Sequence, residues 1–373
     1  MRPTFFLIRI KKLKMSTYSK IVGSGSYIPE VEVKNEEFLK NIFYNADGSH
    51  NGAATPEVLE KFYSITGIKE RRYAKPDQKA SDLAYIAASR ALESSGIDKE
   101  SLDYILVAHN FGDVSADTVT PQLMPSLAAR VKHLLKIENP KTVAYDILFG
   151  CPGWVQAMIQ ANYFIKSGDA KRVLVIGSET LSRVCDPHDR DSMIYADGAG
   201  ATILEATDSD QVTGIISHSV RTDTLDEAYF LWSGASHNPD FQNRDRDFYI
   251  KMHGHKIYEY VISNVPQLVK ECIEKAGLGL KDIKKILIHQ ANEKMDEAIA
   301  KRLFRLYGER QIPDDIMPMI IKKMGNNSVA TVPILYDMIA KGELEGHQFS
   351  KGDHVVFASV GAGMSINAFV YQF

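Results

Sequence analysis

The sequence predicts an α/β protein whose strands are buried between layers of helices. Three observations carry that class. Several short runs are apolar on both faces, at 105–108, 173–176, 201–204, 286–288 and 355–358. Such runs suit a parallel sheet covered by helices on each side. Helical spacing lies between them. Ser81 opens a segment with apolar residues at Leu83, Ile86, Ala87 and Leu92, and Gly96 closes it; serine before a helix and glycine after it are start and stop signals. The third observation is a repeat. SSGIDKESLDYILVAH, ending at His109, matches KAGLGLKDIKKILIHQ, ending at Gln290, with Gly96 opposite Gly277 at an offset of 181 residues. The same offset carries the strand at 174–176 onto 355–357. Repetition of this kind is the mark of a duplicated unit. The expected division is an N-terminal half over 15–205 and a C-terminal half over 206–373.

Length and composition narrow the function classes. The 373 residues are enough for two lobes or one large domain. Apolar residues make up 45% and charged residues 24%, which excludes disorder as the main state. The net charge of −3 argues against a general nucleic-acid binder, which would be basic. Three cysteines are too few for a disulfide framework, so a reducing, cytoplasmic setting is expected. No stretch has the ~18 apolar residues of a membrane span. At the N-terminus the apolar run 5–8 is too short for a secretory core and is followed by basic residues. Residues 1–14 are expected to be an extension, disordered or upstream of a true start at Met15.

Three segments carry candidate chemistry. Cys151 follows a strand-like run at 143–148 and precedes a helical run at 154–165. A cysteine at that turn sits at the positive end of a helix, which would lower its thiol pKa. Gly150 and Gly153 would leave room for a substrate. The alternative is a small buried hydrophobe. His289 ends a strand, at the sheet edge where α/β proteins bind ligands, or it is a satisfied core histidine. GNNS at 325–328 is a polar turn entering an apolar helix, where an asparagine could simply be a cap.

Together, Cys151, HQAN at 289–292 and GNNS at 325–328 resemble the condensing enzymes of the thiolase superfamily, and most closely the 3-oxoacyl-ACP synthase III family. The likeness runs from about residue 18 to the end. It includes KIVGSGSYIP at 20–29, TGIKER at 66–71, GSETLSR at 177–183, CDPHDR at 185–190, DGAGA at 197–201 and GAG at 361–363. The resemblance implies a thiolase-like fold, with two βαβαβαββ halves in a five-layer αβαβα arrangement. It implies Cys151, His289 and Asn326 as the catalytic residues. Cys151 would take an acyl group from a thioester. His289 and Asn326 would stabilise the enolate left when a malonyl thioester loses carbon dioxide. The backbone N–H groups of Cys151 and Ala362 would form an oxyanion hole. Ala362 stands where the family usually has glycine, which is tolerable unless its φ must be positive. Arg190, Asn292 and Met124 would contact substrate or phosphopantetheine, with Met124-Pro125 crossing a homodimer interface. Lys294, Lys301 and Arg302 would dock an acidic acyl carrier protein. No metal or permanently bound cofactor is implied; the substrates are thioesters of coenzyme A or acyl carrier protein.

Departures from the pattern bear on substrate. Pro152 follows the nucleophile where a small residue is usual. Lys61 and Ile65 stand where a tryptophan and an arginine often grip coenzyme A, which favours an acyl-ACP donor. A specialised pathway, of the dialkylresorcinol kind, stands beside primary fatty acid synthesis. Non-decarboxylative acyl transfer and a non-catalytic partner subunit are the remaining alternatives. Segments 41–56, 110–122 and 229–250 look long and could be pocket walls or surface decoration. Gly23-Ser-Gly begins like a dinucleotide fingerprint but lacks the third glycine. His253 and His255 lack companions for a metal site. Cys185 and Cys272 read as structural, and DGAG at 197–200 as a packing turn.

Overall fold

The computed structural model describes residues 15–244 and 246–373, so the expected extension at 1–14 lies outside the described residues. In chain order the first half runs β1 (Ser16–Tyr27), α1 (Pro56–Thr66), α2 (Ala80–Ser95), β2 (Tyr104–His109), α3 (Leu127–Leu134), β3 (Val143–Leu148), α4 (Gly153–Ser167), β4 (Arg172–Thr180) and β5 (Asp197–Ser209). The second runs β6 (Gly214–Thr222), a hairpin of β7 (Leu231–Gly234) and β8 (Tyr249–Met252), α5 (Gly254–Lys275), β9 (Ile283–Ile288), α6 (Glu293–Leu306), α7 (Thr331–Ala340), β10 (His354–Gly361) and β11 (Ser365–Gln372). The division expected at 205 falls inside β5, which continues to Ser209 because its pairing with β1 extends that far.

The two halves build two sheets of matching order. The first is β1-β5-β4-β2-β3 and the second β6-β11-β10-β9. In each, the strands related by the 181-residue offset lie side by side and parallel, β2 with β4 and β9 with β10. The β2–β3 pair is parallel as well, but four pairs differ from the all-parallel expectation. The β4–β5, β5–β1, β10–β11 and β11–β6 pairs are antiparallel, so both sheets are mixed. Short apolar runs look alike in either direction, and only the connections decide. The three residues between β10 and β11 permit a hairpin and no crossover.

Helices α4 and α7 lie between the sheets, each touching strands of both. Their sequences show why. α4 buries Trp154, Val155, Met158, Ile159 and Ile165, and α7 buries Val332, Ile334, Leu335, Tyr336 and Ile339, so both are apolar nearly all round. α2 and α3 cover the outer face of the first sheet. α5 covers the second and packs against α6. The result is five layers, αβαβα, with one core cluster in the middle and one outside each sheet. Trp154 is 1% exposed at the centre; truncating such a residue to alanine typically costs about 3–5 kcal/mol.

Some of the polar residues inside this layer tie the elements together. Asp337 on α7 accepts from Ser24 Oγ and Ser26 Oγ, each at 2.7 Å, which ties α7 to β1. Ser81 is not the cap of α2. The helix starts one residue earlier, after Lys79, and Ser81 instead donates to the buried Asp113 at 2.6 Å. Gly25 belongs to packing and to no nucleotide: a Cβ there would collide with the Ala87 carbonyl of α2. The DGAG segment lies within β5, as strand and not as turn.

Candidate active site

Two cavities meet at Cys151. The smaller, about 460 Å³, is lined mainly by apolar and aromatic residues: Phe111, Leu148, Phe149, Leu181, Trp232 and Ile250. The larger, about 740 Å³, is lined by His289 and Asn326 together with Arg190, Asn292, Lys61 and Ile65. Cys151, Tyr195 and Leu231 belong to both. The three residues singled out as catalytic candidates, with Cys151 138 positions before His289 and His289 37 before Asn326, therefore line a single space.

Cys151 sits in the turn between β3 and α4, with Pro152 as the residue capping the helix. Proline costs nothing there, because helix-start N–H groups lack intrahelical partners. The expectation of a lowered thiol pKa is overturned. Burial pushes the Cys151 thiol up, to about 11, and the hydrogen bond from Ser328 offsets only part of this. Low polarity around the sulfur outweighs the helix end, so the resting group is a thiol. Gly153 leaves no room for substrate either: a Cβ there would lie 3.0 Å from Ala108 Cβ and 3.4 Å from Val329. It lets α4 approach the core.

His289 follows β9, and its N–H donates to the Ala358 carbonyl of β10 at 3.0 Å. The ring is 3% exposed, and burial lowers its pKa to about 4. It is thus neutral at pH 7, an N–H donor rather than a cation. Its neighbours in HQAN have other tasks. Gln290 pins the loop before Asn326, donating to the Pro318 carbonyl and accepting from the Ile320 and Ile321 N–H groups at 2.8, 2.8 and 3.1 Å. Asn292 caps α6, accepting from Met295 N at 3.1 Å.

Asn326 and Asn327 diverge. Asn326 Oδ1 accepts from Ser328 N at 2.7 Å, which leaves its Nδ2 as the donor for a ligand. Asn327 turns away and donates to the Asp197 carbonyl at 2.8 Å. The loop is held from below by backbone bonds between Asn326 and Ile194–Ala196. Arg71, the last residue of TGIKER, is fully buried and fastens that segment through the Met193 carbonyl at 2.6 Å.

Ala362 follows β10 beside Gly150, whose Cβ position would lie 3.2 Å from Ala362 N. The N–H groups of Cys151 and Ala362 donate to no other backbone group. The φ of Ala362 is not positive, so alanine fits where glycine is usual.

The outer residues separate into groups. Arg190 is exposed at the mouth of the larger cavity. Lys294, Lys301 and Arg302 are exposed on α6, whose first turn meets that mouth, although Lys301 is paired with Glu297 at 3.1 Å. Met124 is not with them. It is 90% exposed and lines neither cavity of this chain. Of the long segments, 229–250 supplies Leu231, Trp232, Ser233 and Ile250 to the smaller cavity, whereas 41–56 forms a hairpin away from both. Cys185 and Cys272 line neither cavity.

Three neighbours of Cys151 lie in segments the sequence marked but were not singled out as site residues: Asn110, Glu179 and Ser328. The available signal was a glutamate inside the apolar strand 172–180. Among the described residues one group, Asp186, Asp189 and His237, has metal-like spacing. Lys251 Nζ already bridges its carboxylates at 2.6 and 3.0 Å and supplies the positive charge. Among the described residues no helix is long and apolar enough to cross a membrane.

Comparison with known proteins agrees with this geometry. Family models described as 3-Oxoacyl-[acyl-carrier-protein (ACP)] synthase III and its C-terminal part match residues 145–224 and 273–373. A beta-ketoacyl-[acyl-carrier-protein] synthase III of Xanthomonas oryzae pv. oryzae is 34% identical over 323 residues, covering 86% of this chain and 89% of the relative. The crystal structure of 3-oxoacyl-[acyl-carrier-protein] synthase III from Aquifex aeolicus superposes with a TM-score of 0.76 at 29% identity, covering 95% of this chain and all of the other. The priming beta-ketosynthase of the R1128 polyketide pathway gives 0.77 at 26% identity, covering 95% and 96%.

Proposed function

The chain belongs to the 3-oxoacyl-[acyl-carrier-protein] synthase III family and is a condensing enzyme of the acyltransferase type; from that premise we propose that Cys151 carries the acyl group and that His289 and Asn326 drive decarboxylation of malonyl-ACP. One observation carries the assignment: Cys151, His289 and Asn326 line one cavity, and the free N–H groups of Cys151 and Ala362 meet where it joins the second.

The Cys151 sulfur attacks the donor thioester. A new thioester forms, the old C–S bond breaks, and the thiol proton passes to the departing thiol. The acyl chain then occupies the smaller cavity, against Phe149, Leu148 and Trp232. Malonyl-ACP enters through the larger cavity, its phosphopantetheine phosphate near Arg190. Loss of carbon dioxide leaves an enolate whose oxygen accepts from neutral His289 and from Asn326 Nδ2. The carbanion attacks the acyl carbonyl, whose oxyanion accepts from the Cys151 and Ala362 N–H groups. The Cys151–acyl bond breaks, the 3-oxoacyl-ACP departs, and the sulfur takes a proton from solvent. A neutral imidazole suits this role, since it donates without competing for the carboxylate.

The donor is an acyl-ACP. Lys61 and Ile65 line the mouth and offer neither an indole to stack on an adenine nor a guanidinium fork for its phosphates. Lys294 and Arg302 present positive charge to an acidic carrier beside the same mouth. A wall built from segment 229–250 supports a specialised acyl group over a short primer. The three free cysteines suit the cytoplasm. A homodimer completes the reading. β3 is the unpaired edge of its sheet, with Val143 and Leu148 exposed at 47% and 67%, and Leu123 and Met124 at 59% and 90%. Exposed apolar edges of this kind need a cover; light scattering should give twice the chain mass.

Intact-protein mass spectrometry tests the reaction. After exposure to acyl-ACP and acyl-CoA panels, a mass gain absent from Cys151→Ala and discharged by malonyl-ACP with carbon dioxide release is expected. Discharge to an oxygen or nitrogen acceptor without carbon dioxide would replace condensation by simple acyl transfer, and no acylation would replace both by a non-catalytic role.

A further inference from the structure

A chain of hydrogen bonds, each with a fixed direction, ends on the Cys151 sulfur. It starts at Glu179 on β4, which is 1% exposed. The Glu179 carboxylate accepts from the Asn110 N–H at 2.6 Å and also from Asn110 Nδ2. The second Nδ2 hydrogen goes to Ser328 Oγ at 2.9 Å. Ser328 Oγ donates to Cys151 Sγ at 3.2 Å.

The directions follow from donor inventory. Asn110 Nδ2 has two hydrogens and no acceptor capacity, and both are used. Above pH 7, where Glu179 is ionised, the reverse amide orientation would set two acceptors against each other. Ser328 has a single hydroxyl hydrogen. With a donor already at its lone pair, that hydrogen is left to point at the sulfur. Ser328 backbone geometry adds to this: its φ is +50°, in the left-handed region, which a side chain adopts only when its surroundings hold it there. Its own N–H grips Asn326 Oδ1, so one residue orients both the asparagine amide and the hydroxyl facing sulfur.

We propose that Ser328 is a further catalytic residue, an obligate hydrogen-bond donor to Cys151 Sγ, and that Asn110 and Glu179 are the positioning residues that keep it a donor. The proposal rests on Cys151 being the acyl-carrying thiol. Donation to sulfur stabilises the thiolate that attacks the donor thioester and that leaves again when the condensation product departs. It does so where burial opposes the thiolate and no cation among the described residues offsets that burial. The titratable groups around this corner are Glu179, with His109 on β2 and Asp197 on β5 behind it, Tyr195 across both cavities, and His289 after β9.

The test is the pH dependence of Cys151 alkylation by iodoacetamide in the full chain, followed by intact mass. Ser328→Gly removes the hydroxyl, keeps the N–H to Asn326 and suits the positive φ, so it should fold; its melting temperature checks this. The alkylation midpoint should rise by about one pH unit, the size expected for losing a donor to a charged group. Asn110→Ala should raise it by less. The double variant should match Ser328→Gly alone, since Asn110 acts only through Ser328. Glu179→Gln keeps an acceptor for Asn110 and removes a like charge near the sulfur, so its midpoint should not rise. An unmoved midpoint in a folded Ser328→Gly, additive effects in the double variant, or a rise in Glu179→Gln would overturn the assignment. Alkylation needs no acyl donor. A wild-type chain that refuses every thioester yet shows these shifts would sink the condensing reaction and leave the hydrogen-bond chain standing.

Discussion

The two central helices are counterparts in the two halves, yet their entrances differ. α4 is entered from a full strand, β3, through a tight turn that carries Cys151. α7 is entered from a loop with no such strand, and that loop carries Asn326 and Ser328. In the first half a fixed strand end holds a single nucleophile. In the second, a loop pinned by Gln290 and Arg71 spreads donors toward the same point. The difference teaches how a repeated architecture divides labour. One copy presents electrons, the other presents N–H and O–H groups, and the shared core between the sheets brings both to one cavity.

The sharpest way to separate the two entrances is to remove one at a time. Cys151→Ala should abolish acyl-enzyme formation and lower condensation by at least about 10⁴-fold. It should still release carbon dioxide from malonyl-ACP, because the second-half donors remain. His289→Ala and Asn326→Ala should do the reverse. Each should keep acylation of Cys151 and lose about 10²–10³ in decarboxylation rate. Between pH 5.5 and 8 this decarboxylation should show no ionisation of His289, since burial holds its pKa near 4. A midpoint at 6.5 would mean that the ring is solvated and that the second entrance is more open than the first.

Smaller effects probe the surroundings. Charge reversal of Lys294 and Arg302 should raise KM for the carrier roughly 3- to 10-fold at low salt, with the difference fading as ionic strength screens it. Any mass gain from an acyl-CoA donor, which has no carrier protein to dock, should be unaffected. Smaller still is a stability effect at the first entrance. Burial raises the Glu179 pKa from 4.5 to about 7. The folded chain therefore holds a proton that the unfolded chain has already lost. The resulting stability is present below pH 4.5 and is lost as pH rises through 7. Glu179→Gln should melt above wild type by roughly 2–4 °C at pH 8 and by less at pH 5. An unchanged difference between the two would place Glu179 in contact with water.

Much of the architecture was legible because it is local. Runs 105–108 and 286–288 are apolar on both faces whatever surrounds them, and the repeat at 181 residues places them in equivalent strands. Residues 154–165 read as a helical run, and an apolar helix follows GNNS at 325–328. The segments bearing Cys151, His289 and Asn326 stood out for the same reason: each is a polar or reactive group at the end of an apolar run. Strand direction was not legible, because a run that is apolar on both faces pairs equally well either way.

Tertiary structure alone decided the rest. Whether the thiol is lowered by a helix end or raised by burial depends on what covers Cys151, and Phe149, Leu181 and Trp232 come from three separate parts of the chain. Gly153 serves α4 packing because Ala108 stands opposite it. Asn110, Glu179 and Ser328 are scattered over 218 positions, and none belongs to a pattern by itself. Hydrogen-bond direction is a property of who faces whom. By itself the sequence determined the strands, the central helices and where reactive side chains leave them. The fold determined their ionisation and their partners, because both depend on distance and on exclusion of water, which no residue carries in its own identity.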